Sequence, residues 1–279
     1  MKVAVTGASG FIGRHVLNAL LAQHVSVVTT TRDKNRLAEF SDRVQIVELD
    51  LAGNEQGVFE RLGKPDILMH LAWAGLPNYR SLHHFESELP RQYAFLQQMI
   101  KQGLPSLIIT GTCFEYGMQS GPLTENTATH PSNPYGFAKD ALRQQLEYLK
   151  QQVPFNFTWA RLFYMYGTGQ AKNSLLPQLE AAVAQGAAQF NMSGGEQLRD
   201  YLPVSAIARQ LVMLALKQKD IGIINVCSGK PQSVRNLVEH WIQENHWKIR
   251  LNLGYYAYPD HEPMAFWGCR QKLDTLLGQ

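Results

Sequence analysis

A glycine-rich turn close to the first residue is the strongest constraint on the fold of this chain. Residues 2–6 form a short apolar strand pattern, and Gly7, Gly10 and Gly13 follow it within Thr-Gly-Ala-Ser-Gly-Phe-Ile-Gly. Apolar residues then recur at helical spacing. The first glycine permits a tight turn, the second lets a pyrophosphate approach the backbone, and the third lets the helix pack on the strand. We therefore expect a dinucleotide at the helix N-terminus, the alternative being a glycine-rich turn that binds nothing.

The rest of the chain continues this alternation of strands and helices. Further strands are predicted at 25–30, 44–49, 67–71, 107–110 and 157–162, with helices at 85–101 and 135–151. The pattern predicts an α/β fold, a Rossmann-like doubly wound parallel sheet with helices on both faces. Glycine and proline interrupt the later elements. We therefore expect a dinucleotide-binding domain at 1–165 and a smaller C-terminal substrate-binding lobe at 166–279, with elements around 203–218 packing back on the first domain.

Charge and cysteine usage exclude several classes of protein. The net charge of +3 is spread along 279 residues without a basic block, which argues against nucleic acid as a partner. Cys113, Cys227 and Cys269 lie outside any disulfide or zinc spacing. No apolar stretch approaches the roughly 18 residues of a membrane span, and the first strand leaves no room for a signal peptide. We expect a cytoplasmic enzyme without membrane contact.

The histidines show no metal-ligand pattern. The pair at 83–84, His240 and His246 have no carboxylate or cysteine at metal-ligand spacing. We therefore expect no metal, and solvated or capping roles for these side chains.

The end of the second strand determines the choice of dinucleotide. A carboxylate there would accept hydrogen bonds from the ribose of NAD, but this chain has Thr30, Thr31 and Arg32. A guanidinium matches the geometry of a 2′-phosphate. The sequence therefore predicts NADPH, with NADH possible. The alternatives are that Asp33 turns into the position or that Arg32 is only solvated.

A tyrosine and a lysine are candidates for acid–base chemistry. Tyr135 and Lys139 are spaced i and i+4 on one predicted helix, so their side chains share a face. An ammonium near a phenol stabilises the phenolate and lowers the phenol pKa toward the working range of a catalyst. An ordinary surface pair is the alternative, but the stretch Gly111 to Gly117 begins at a strand end on the expected ligand edge of the sheet.

These motifs together resemble the extended branch of the short-chain dehydrogenase/reductase superfamily, the NAD-dependent epimerase/dehydratase family, which acts mainly on nucleotide sugars. The resemblance rests on the glycine turn, on Thr112 four residues before a Tyr-Gly pair, and on Tyr-x-x-x-Lys. It implies that Thr112 hydrogen-bonds the substrate oxygen, that Tyr135 transfers a proton, and that Lys139 tunes Tyr135 and holds the nicotinamide ribose. The cofactor contacts expected in all are Gly7, Gly10, Phe11, Ile12, Gly13, Arg32, Asp50, Leu51, Leu71, Ala72, Tyr135 and Lys139.

The substrate contacts follow partly from the resemblance and partly from position. Trp73 opens a loop, 73–80, that follows a strand end and is expected to wall the sugar pocket, the alternative being aromatic packing on the lobe. Asn173 and Ser174 are expected to cap a short helix facing anions, and Arg199 matches the family's phosphate-binding arginine. The expected substrate contacts are Trp73, Thr112, Tyr135, Asn173 and Arg199.

The two residues after Thr112 reduce the number of reactions that this site can be expected to catalyse. Dehydratases of this family carry an acid and a base there, whereas this chain has Cys113 and Phe114, so dehydration is disfavoured. An epimerase retains NAD, which fits poorly with Arg32.

The chain resembles reductases of dTDP-4-keto-6-deoxyhexoses that supply cell-surface polysaccharide synthesis. The expected reaction is dTDP-4-dehydro-L-rhamnose to dTDP-6-deoxy-L-talose. A dTDP-fucose-forming 4-ketoreductase, an epimerase with retained NAD and a non-catalytic NADP-binding sensor are the alternatives. A homodimer through helices near 82–101 and 136–151 is also expected, although packing on the sheet explains their apolar faces equally well.

Overall fold

The computed structural model describes residues 1–51, 53, 57–260 and 262–278. The helices are α1 (Phe11–Leu21), α2 (Val58–Arg61), α3 (Leu89–Lys101), α4 (Pro134–Gln152), α5 (Leu175–Ala184), α6 (Val204–Leu216), α7 (Val234–Glu244) and α8 (Gln271–Leu277). The strands are β1 (Lys2–Thr6), β2 (Ser26–Thr31), β3 (Gln45–Glu48), β4 (Ile67–His70), β5 (Ser106–Thr112), β6 (Gly121–Leu123), β7 (Asn156–Leu162), β8 (Tyr164–Tyr166), β9 (Gln189–Asn191), β10 (Leu198–Arg199), β11 (Tyr201–Pro203), β12 (Gly222–Val226), β13 (Gln232–Ser233), β14 (Arg250–Asn252) and β15 (Phe266–Gly268).

Seven of these strands form one parallel sheet in the order β12-β7-β5-β4-β1-β2-β3. The chain starts at β1 in the middle, runs to the β3 edge, and then crosses back to β4 on the other side of β1. Strand order therefore reverses between β1 and β4, where Thr6 is paired with His70. In open α/β sheets a ligand binds outside the carboxyl ends of the strands at such a reversal. The Rossmann-like doubly wound sheet predicted from the sequence is confirmed.

Both faces of the sheet are buried, which explains why its strands read as continuous apolar runs. Val3 and Val5 of β1 pack into the cluster formed with α1 and α6, whereas Ala4 faces the opposite cluster formed with α3 and α4. A period of two along a strand produces this division. The same packing covers apolar residues of α3 and α4, yet Phe137 and Tyr148 of α4 are 51% and 68% exposed. The dimer through these helices stays a prediction.

The second half of the chain leaves the sheet after β7 and returns to it. A separate apolar cluster, built around Leu179, Phe190 and Trp241, forms the core of the lobe. Helix α6 packs on α1, and β12 pairs with β7 in the main sheet. Helix α8 then contacts β12 and α6. The part of the second half that packs back on the first domain is thus longer than the predicted range 203–218, because it also includes residues 222–226 and 271–277.

Helix α3 begins later than the apolar pattern predicted. The expected helix started at residue 85, but residues His84–Glu88 form one π-helical turn and α3 starts at Leu89. The wider turn buries His84 and Glu88. Turns of this kind often occur at functional sites. Among the described residues, no helix is both long enough and apolar enough to cross a membrane.

Candidate functional site

The glycine turn has the shape that a dinucleotide phosphate requires. Gly7 has φ of +73°, and a Cβ there would lie 2.6 Å from the backbone nitrogen of Ala72. A Cβ at Gly13 would lie 2.3 Å from the carbonyl oxygen of Gly7, so helix α1 packs directly on the turn. At Gly10, in contrast, a Cβ would meet only that carbonyl oxygen, at 3.2 Å. Helix α1 has no side-chain cap, so its first N–H groups are available to an anion. These residues fit a pyrophosphate.

The other residues expected at the cofactor lie along the same edge. Leu71 donates its N–H to the carbonyl of Thr6, at 3.1 Å, and so joins the turn to β4. Phe11 and Ile12 are half-buried in the first turn of α1. Arg32 and Asp50 are exposed just beyond the ends of β2 and β3, and Leu51 packs on the α3 side of the sheet. The sheet thus places the expected contacts around its carboxyl edge.

The three expected catalytic residues meet at the end of β5. Thr112 is the last residue of β5, and it hydrogen-bonds Tyr135 of α4. Lys139, one helical turn further on, donates its Nζ proton to the carbonyl of Thr110 at 2.9 Å. Its Nζ lies 6.0 Å from the centre of the Tyr135 ring and 4.1 Å from that of Trp73. All three members of the trio are nearly fully buried.

The pKa of Tyr135 is shifted upward, opposite to the expectation from the sequence. Burial raises the pKa of Tyr135 above 10, and neighbouring Tyr79 and Glu115 reinforce the increase. Burial also lowers the pKa of Lys139 to about 7, so its ammonium is only partly populated near neutral pH. The expectation that Lys139 depresses the Tyr135 pKa was therefore wrong for this arrangement, because burial of the phenol is the largest cause of the shift and it raises the pKa. Tyr135 is held as a protonated phenol.

A buried ion pair fixes the position of Thr112. Glu115 accepts the backbone N–H of Thr112 at 2.8 Å and closes a capping box over residues 113–116. Its carboxylate also accepts hydrogen bonds from Trp159 and from Arg161, the latter at 2.6 Å. Glu115 and Arg161 are both essentially inaccessible to solvent. The sequence analysis missed this pair, whose only signal was a glutamate three residues after a threonine.

The loop after β4 is held against the trio by residues of the π turn. Trp73 donates its indole N–H to Nδ1 of His84 at 3.0 Å, and Nε2 of His84 donates to the carbonyl of Asn78 at 2.8 Å. The His84 ring also lies edge-on to Tyr135, with centroids 5.2 Å apart. His84 is fully buried. The prediction of a solvated or capping histidine was therefore wrong for His84, because the loop folds back over it. His83, His240 and His246 are not fully buried.

A chain of buried hydrogen bonds connects this loop to the glycine turn. His70 bonds Thr6 Oγ1 through Nδ1 and Gln92 Oε1 through Nε2, each at 2.8 Å. Gln92 donates to Glu88, which accepts the backbone N–H of Ala74 at 3.0 Å. Burial lowers the pKa of His70 to about 3. The imidazole is therefore neutral. The sequence analysis did not predict this series of hydrogen bonds.

Aromatic side chains surround the reacting end of Tyr135. Tyr79 lies 5.5 Å from Tyr135 and 5.0 Å from Phe114, between ring centroids. Cys113 is buried, and desolvation raises the pKa of its thiol, so it is no base at neutral pH. The buried hydroxyl of Tyr164 makes no hydrogen bond within the described residues. Cys113 and Phe114 thus offer no base here, whereas Tyr135 and Thr112 carry hydroxyl groups that can hydrogen-bond a bound oxygen.

The two residues expected at the nucleotide diphosphate are in different environments. Arg199 is buried over the ring of Phe266, at 4.7 Å, and its Nη2 donates to Glu262 at 3.0 Å. A phosphate that reaches Arg199 must therefore share the guanidinium with Glu262. Asn173 is exposed before α5, and Ser174 is the N-cap residue of that helix. The expected cap was wrong in one respect, because Ser174 makes no side-chain cap hydrogen bond.

Within the described part of the chain, no group of three or more histidine, cysteine, aspartate or glutamate side chains could hold a metal ion. The site as described consists of an open glycine turn, a buried Thr-Tyr-Lys trio and an aromatic wall.

Comparison with known proteins agrees with the fold and the motifs. A solved structure of UDP-N-acetylglucosamine 4-epimerase from Methanobrevibacter ruminantium M1, in complex with UDP-N-acetylmuramic acid, superposes with a TM-score of 0.87 at 22% identity. The superposition covers 99% of this chain and 91% of that one, and at this identity it speaks for the fold.

Two relatives are similar over nearly the full length. dTDP-6-deoxy-L-talose 4-dehydrogenase (NAD(+)) of Aggregatibacter actinomycetemcomitans is 30% identical over 97% of this chain and 100% of its own length. GDP-6-deoxy-D-talose 4-dehydrogenase of the same organism is 25% identical over 100% of this chain and 92% of its own. The model of a family described as NAD dependent epimerase/dehydratase matches residues 3–227. The chain therefore belongs to the NAD dependent epimerase/dehydratase family, the extended short-chain dehydrogenases/reductases.

Proposed function

We propose that this chain is a nucleotide-sugar 4-ketoreductase that reduces the C4 ketone of a dTDP-4-keto-6-deoxyhexose with NADPH. The observation that carries the proposal is the environment of Tyr135. Thr112 and Tyr135 form a proton-donating pair. The two residues that follow Thr112 in the sequence, Cys113 and Phe114, provide a desolvated thiol and an aromatic ring. Reduction of a ketone needs one proton donor at oxygen, but elimination of water needs a further acid and base. Cys113 and Phe114 provide neither that second acid nor that base.

The proton moves from Tyr135 to the substrate. Reduced nicotinamide, held at the glycine turn and by Lys139, would supply the hydride that reduces C4 and would itself be oxidised. The developing alkoxide takes the proton of the Tyr135 hydroxyl, and the Thr112 hydroxyl holds the same oxygen. The raised pKa of Tyr135 keeps the phenol protonated until the alkoxide forms, which suits a donor. To Lys139, whose pKa is about 7 and whose Nζ lies 6.0 Å from the centre of the Tyr135 ring, we assign the return of a proton to the resulting phenolate.

The sugar is inferred from the relatives and from the pocket wall. The two dehydrogenases described above are named for 6-deoxytalose sugars and for the 4-position, although their nucleotides differ. The chain is 30% identical to the dTDP-sugar enzyme and 25% identical to the GDP-sugar enzyme, which favours dTDP as the nucleotide of the substrate. The rings of Tyr79 and Phe114 present apolar surface close to the reacting oxygen, which suits the methyl group of a 6-deoxy sugar better than a hydroxymethyl or carboxylate. dTDP-4-dehydro-L-rhamnose is the substrate that we propose.

The experiment combines turnover with product identification. The purified protein is incubated with dTDP-4-dehydro-L-rhamnose, made from dTDP-4-keto-6-deoxy-D-glucose by a 3,5-epimerase, and loss of reduced nicotinamide is followed. NMR of the product identifies dTDP-6-deoxy-L-talose. Omission of the 3,5-epimerase tests the dTDP-fucose-forming alternative. No turnover with either sugar would contradict the proposed substrates, and stoichiometric NAD in the purified protein would favour an epimerase.

Tyr135→Phe tests the assignment of the proton donor. The variant keeps the ring and loses the proton, so kcat is expected to fall by about 10²–10⁴-fold with little change in the cofactor Kd. Tyr255→Phe is the matched control, because Tyr255 is 60% exposed in the lobe. Full activity in Tyr135→Phe would show that another group protonates the alcohol.

The preference for NADPH over NADH rests on Arg32. Arg32 is exposed beyond β2, and the carboxylate of Asp33 accepts the N–H of Asn35 at 3.0 Å as the cap of the short helix Lys34–Phe40. This use of Asp33 as a helix cap favours Arg32 over Asp33 as the residue that meets the ribose. One of the two relatives described above is named as an NAD(+) enzyme, so the preference of this chain between NADPH and NADH needs a direct measurement.

The cofactor preference is measured as the ratio of NADH to NADPH dissociation constants. Arg32→Asp is expected to reduce that ratio by about tenfold or more, because a carboxylate repels the 2′-phosphate and accepts the ribose hydroxyls. Arg43→Asp, at another exposed arginine, makes the same change in net charge as a control. Tighter NADH binding by the wild type, with a ratio that Arg32→Asp leaves unchanged, would contradict the assignment.

A further inference from the structure

We infer that His84 is a positioning residue of this reductase, which holds Trp73 and the 73–80 loop against Tyr135 and Lys139. The inference rests on the proposed ketoreductase function for its kinetic part only. It arises from a fully buried histidine outside the catalytic trio, both of whose ring nitrogens are engaged.

The hydrogen bonds of His84 define its protonation state. The indole nitrogen of Trp73 can only donate, so Nδ1 of His84 is the acceptor of that bond, at 3.0 Å. The carbonyl of Asn78 can only accept, so Nε2 carries the proton, at 2.8 Å. The ring is therefore the neutral Nε2–H tautomer. A second proton would have to go on Nδ1, where it would face the indole N–H of Trp73.

The contacts of His84 reach the catalytic trio from two sides. Its ring is 5.2 Å from the Tyr135 ring in an edge-on arrangement and stacks near the Trp73 indole, at 6.3 Å. Trp73 in turn lies under the ammonium of Lys139, 4.1 Å from the ring centroid, and is T-shaped to Tyr135 at 6.0 Å. His84 thus acts through its ring contacts, by fixing the positions of the Trp73 and Tyr135 rings.

The loop is built to close over this imidazole. Gly75 has φ of +87°, and a Cβ there would lie 3.2 Å from Cε1 of His84, so the backbone passes directly over the ring. The backbone of the loop also reaches α4, because Tyr135 donates its N–H to the carbonyl of Tyr79 at 3.2 Å. Glu88, at the other end of the π turn, accepts the N–H of Ala74. The π turn His84–Glu88 therefore fastens the loop at Trp73, Ala74 and Asn78.

The electrostatic surroundings favour the neutral imidazole. Burial lowers the pKa of His84 below its ordinary value of 6.5, and the positive groups of His83 and Lys139 act in the same direction. The carboxylate of Glu88 and the carbonyl of Asn78 oppose them. Tyr135, the remaining titratable group against the ring, is a neutral phenol near pH 7. Since the folded pKa is depressed, protonation and release of Trp73 occur only as the pH falls below 6.5.

The first test is independent of the substrate. The indole N–H resonance of Trp73 is followed by ¹⁵N-edited NMR of tryptophan-labelled full-length protein and assigned by its loss in Trp73→Phe. We expect it to shift with a midpoint below the ordinary histidine pKa, and to be pH-independent in His84→Asn. In that variant the amide oxygen stands near the position of Nδ1 and does not titrate. An indole resonance in the wild type that does not titrate, or one that still titrates in His84→Asn, would overturn the inference.

The second test separates positioning from a structural role. His84→Phe keeps an aromatic ring but makes neither hydrogen bond, and its kcat with dTDP-4-dehydro-L-rhamnose is expected to fall roughly tenfold, with the Kd of NADPH unchanged. His84→Asn is expected to regain part of the loss and to lack the decline of kcat/KM at acid pH. His240→Phe, at an exposed histidine of the lobe, is the control. A kcat within twofold of wild type in His84→Phe would refute the positioning role.

The two tests distinguish their possible failures. If the wild type does not reduce this sugar, the proposed substrate is wrong, and the NMR titration still decides whether His84 holds Trp73. If the wild type turns over but the Trp73 resonance does not depend on His84, the positioning role is wrong and the proposed function stands.

Discussion

The glycine turn allows cofactor binding to be separated from folding by two neighbouring substitutions. Gly10 has φ of −81° and ψ of 178°, a conformation that alanine adopts freely, and its Cβ would meet only the carbonyl oxygen of Gly7, at 3.2 Å. Gly13 is inside α1, where a Cβ would lie 2.3 Å from that oxygen and 2.5 Å from Cα of Ala8. Gly10→Ala therefore fills ligand space, whereas Gly13→Ala fills space already occupied by backbone.

The expected effects follow from these distances. Gly→Ala at a compatible conformation stabilises a protein by about 0.4–1 kcal/mol, and alanine at an N-cap is less favourable than glycine by an opposing amount of roughly the same size. Gly10→Ala should thus change the free energy of unfolding by less than about 1 kcal/mol, or at most about 2–4 °C in Tm. Its methyl group would displace the pyrophosphate from at least one charge-assisted hydrogen bond of about 1.5–3 kcal/mol, which raises Kd roughly 10- to 150-fold.

Gly13→Ala should behave differently, because the backbone that it meets cannot rotate away. Overpacking of a core costs about 1–3 kcal/mol or more, so both Tm and cofactor affinity should fall. Calorimetric unfolding and isothermal titration with NADPH on both variants provide the comparison. If Gly10→Ala bound NADPH with an unchanged Kd, the phosphate would not lie at this turn, and the interpretation of α1 as its binding site would be refuted.

Two further predictions concern buried charge. The pKa of His70 falls from 6.5 in the unfolded chain to about 3 in the folded one, so the unfolded chain binds the proton more readily and stability should decrease as pH falls below 6.5. Tm measured against pH should have a shallower acid slope in His70→Asn; an identical slope would show that other groups dominate. Arg199→Gln should weaken dTDP binding by about tenfold or more without changing the NADPH Kd, because the buried guanidinium is lost from the expected phosphate site. Arg235→Gln, at an exposed lobe arginine, is the control for titrations with dTDP, and equal dTDP affinities in the two variants would contradict the role of Arg199.

The sequence predicted the sheet well because its information is local. Most strands of the main sheet are short runs of apolar and β-branched residues, and the predicted range 157–162 differs from β7 by one residue. The helix predicted from residue 85 instead began at Leu89, because residues His84–Glu88 form a π turn before it. Periodicity alone does not distinguish these two arrangements.

The site was predictable only where its residues are close in sequence. Tyr135 and Lys139 share one helix, and Thr112 ends a strand, so their convergence could be expected. The partners of His84 and Arg199 could not, because they depend on how loops fold back: Glu262 lies 63 residues beyond Arg199. The direction of the Tyr135 pKa was missed for a related reason. Desolvation depends on everything packed around the phenol, and a spacing of four residues contains no information on it.

The return of the chain to the main sheet through β12 has a consequence for how such enzymes diverge. Residues 163–221 are suspended between two strands, β7 and β12, that lie side by side in the sheet and are paired at five positions. Substitutions or insertions within this segment, which includes Tyr164 beside Phe114 and the buried Arg199, can reshape its side of the pocket while both of its anchor points stay fixed in the sheet. The proton donor and the glycine turn lie outside the segment. A new sugar can therefore be accommodated by changes in the suspended segment, with the chemical step inherited intact.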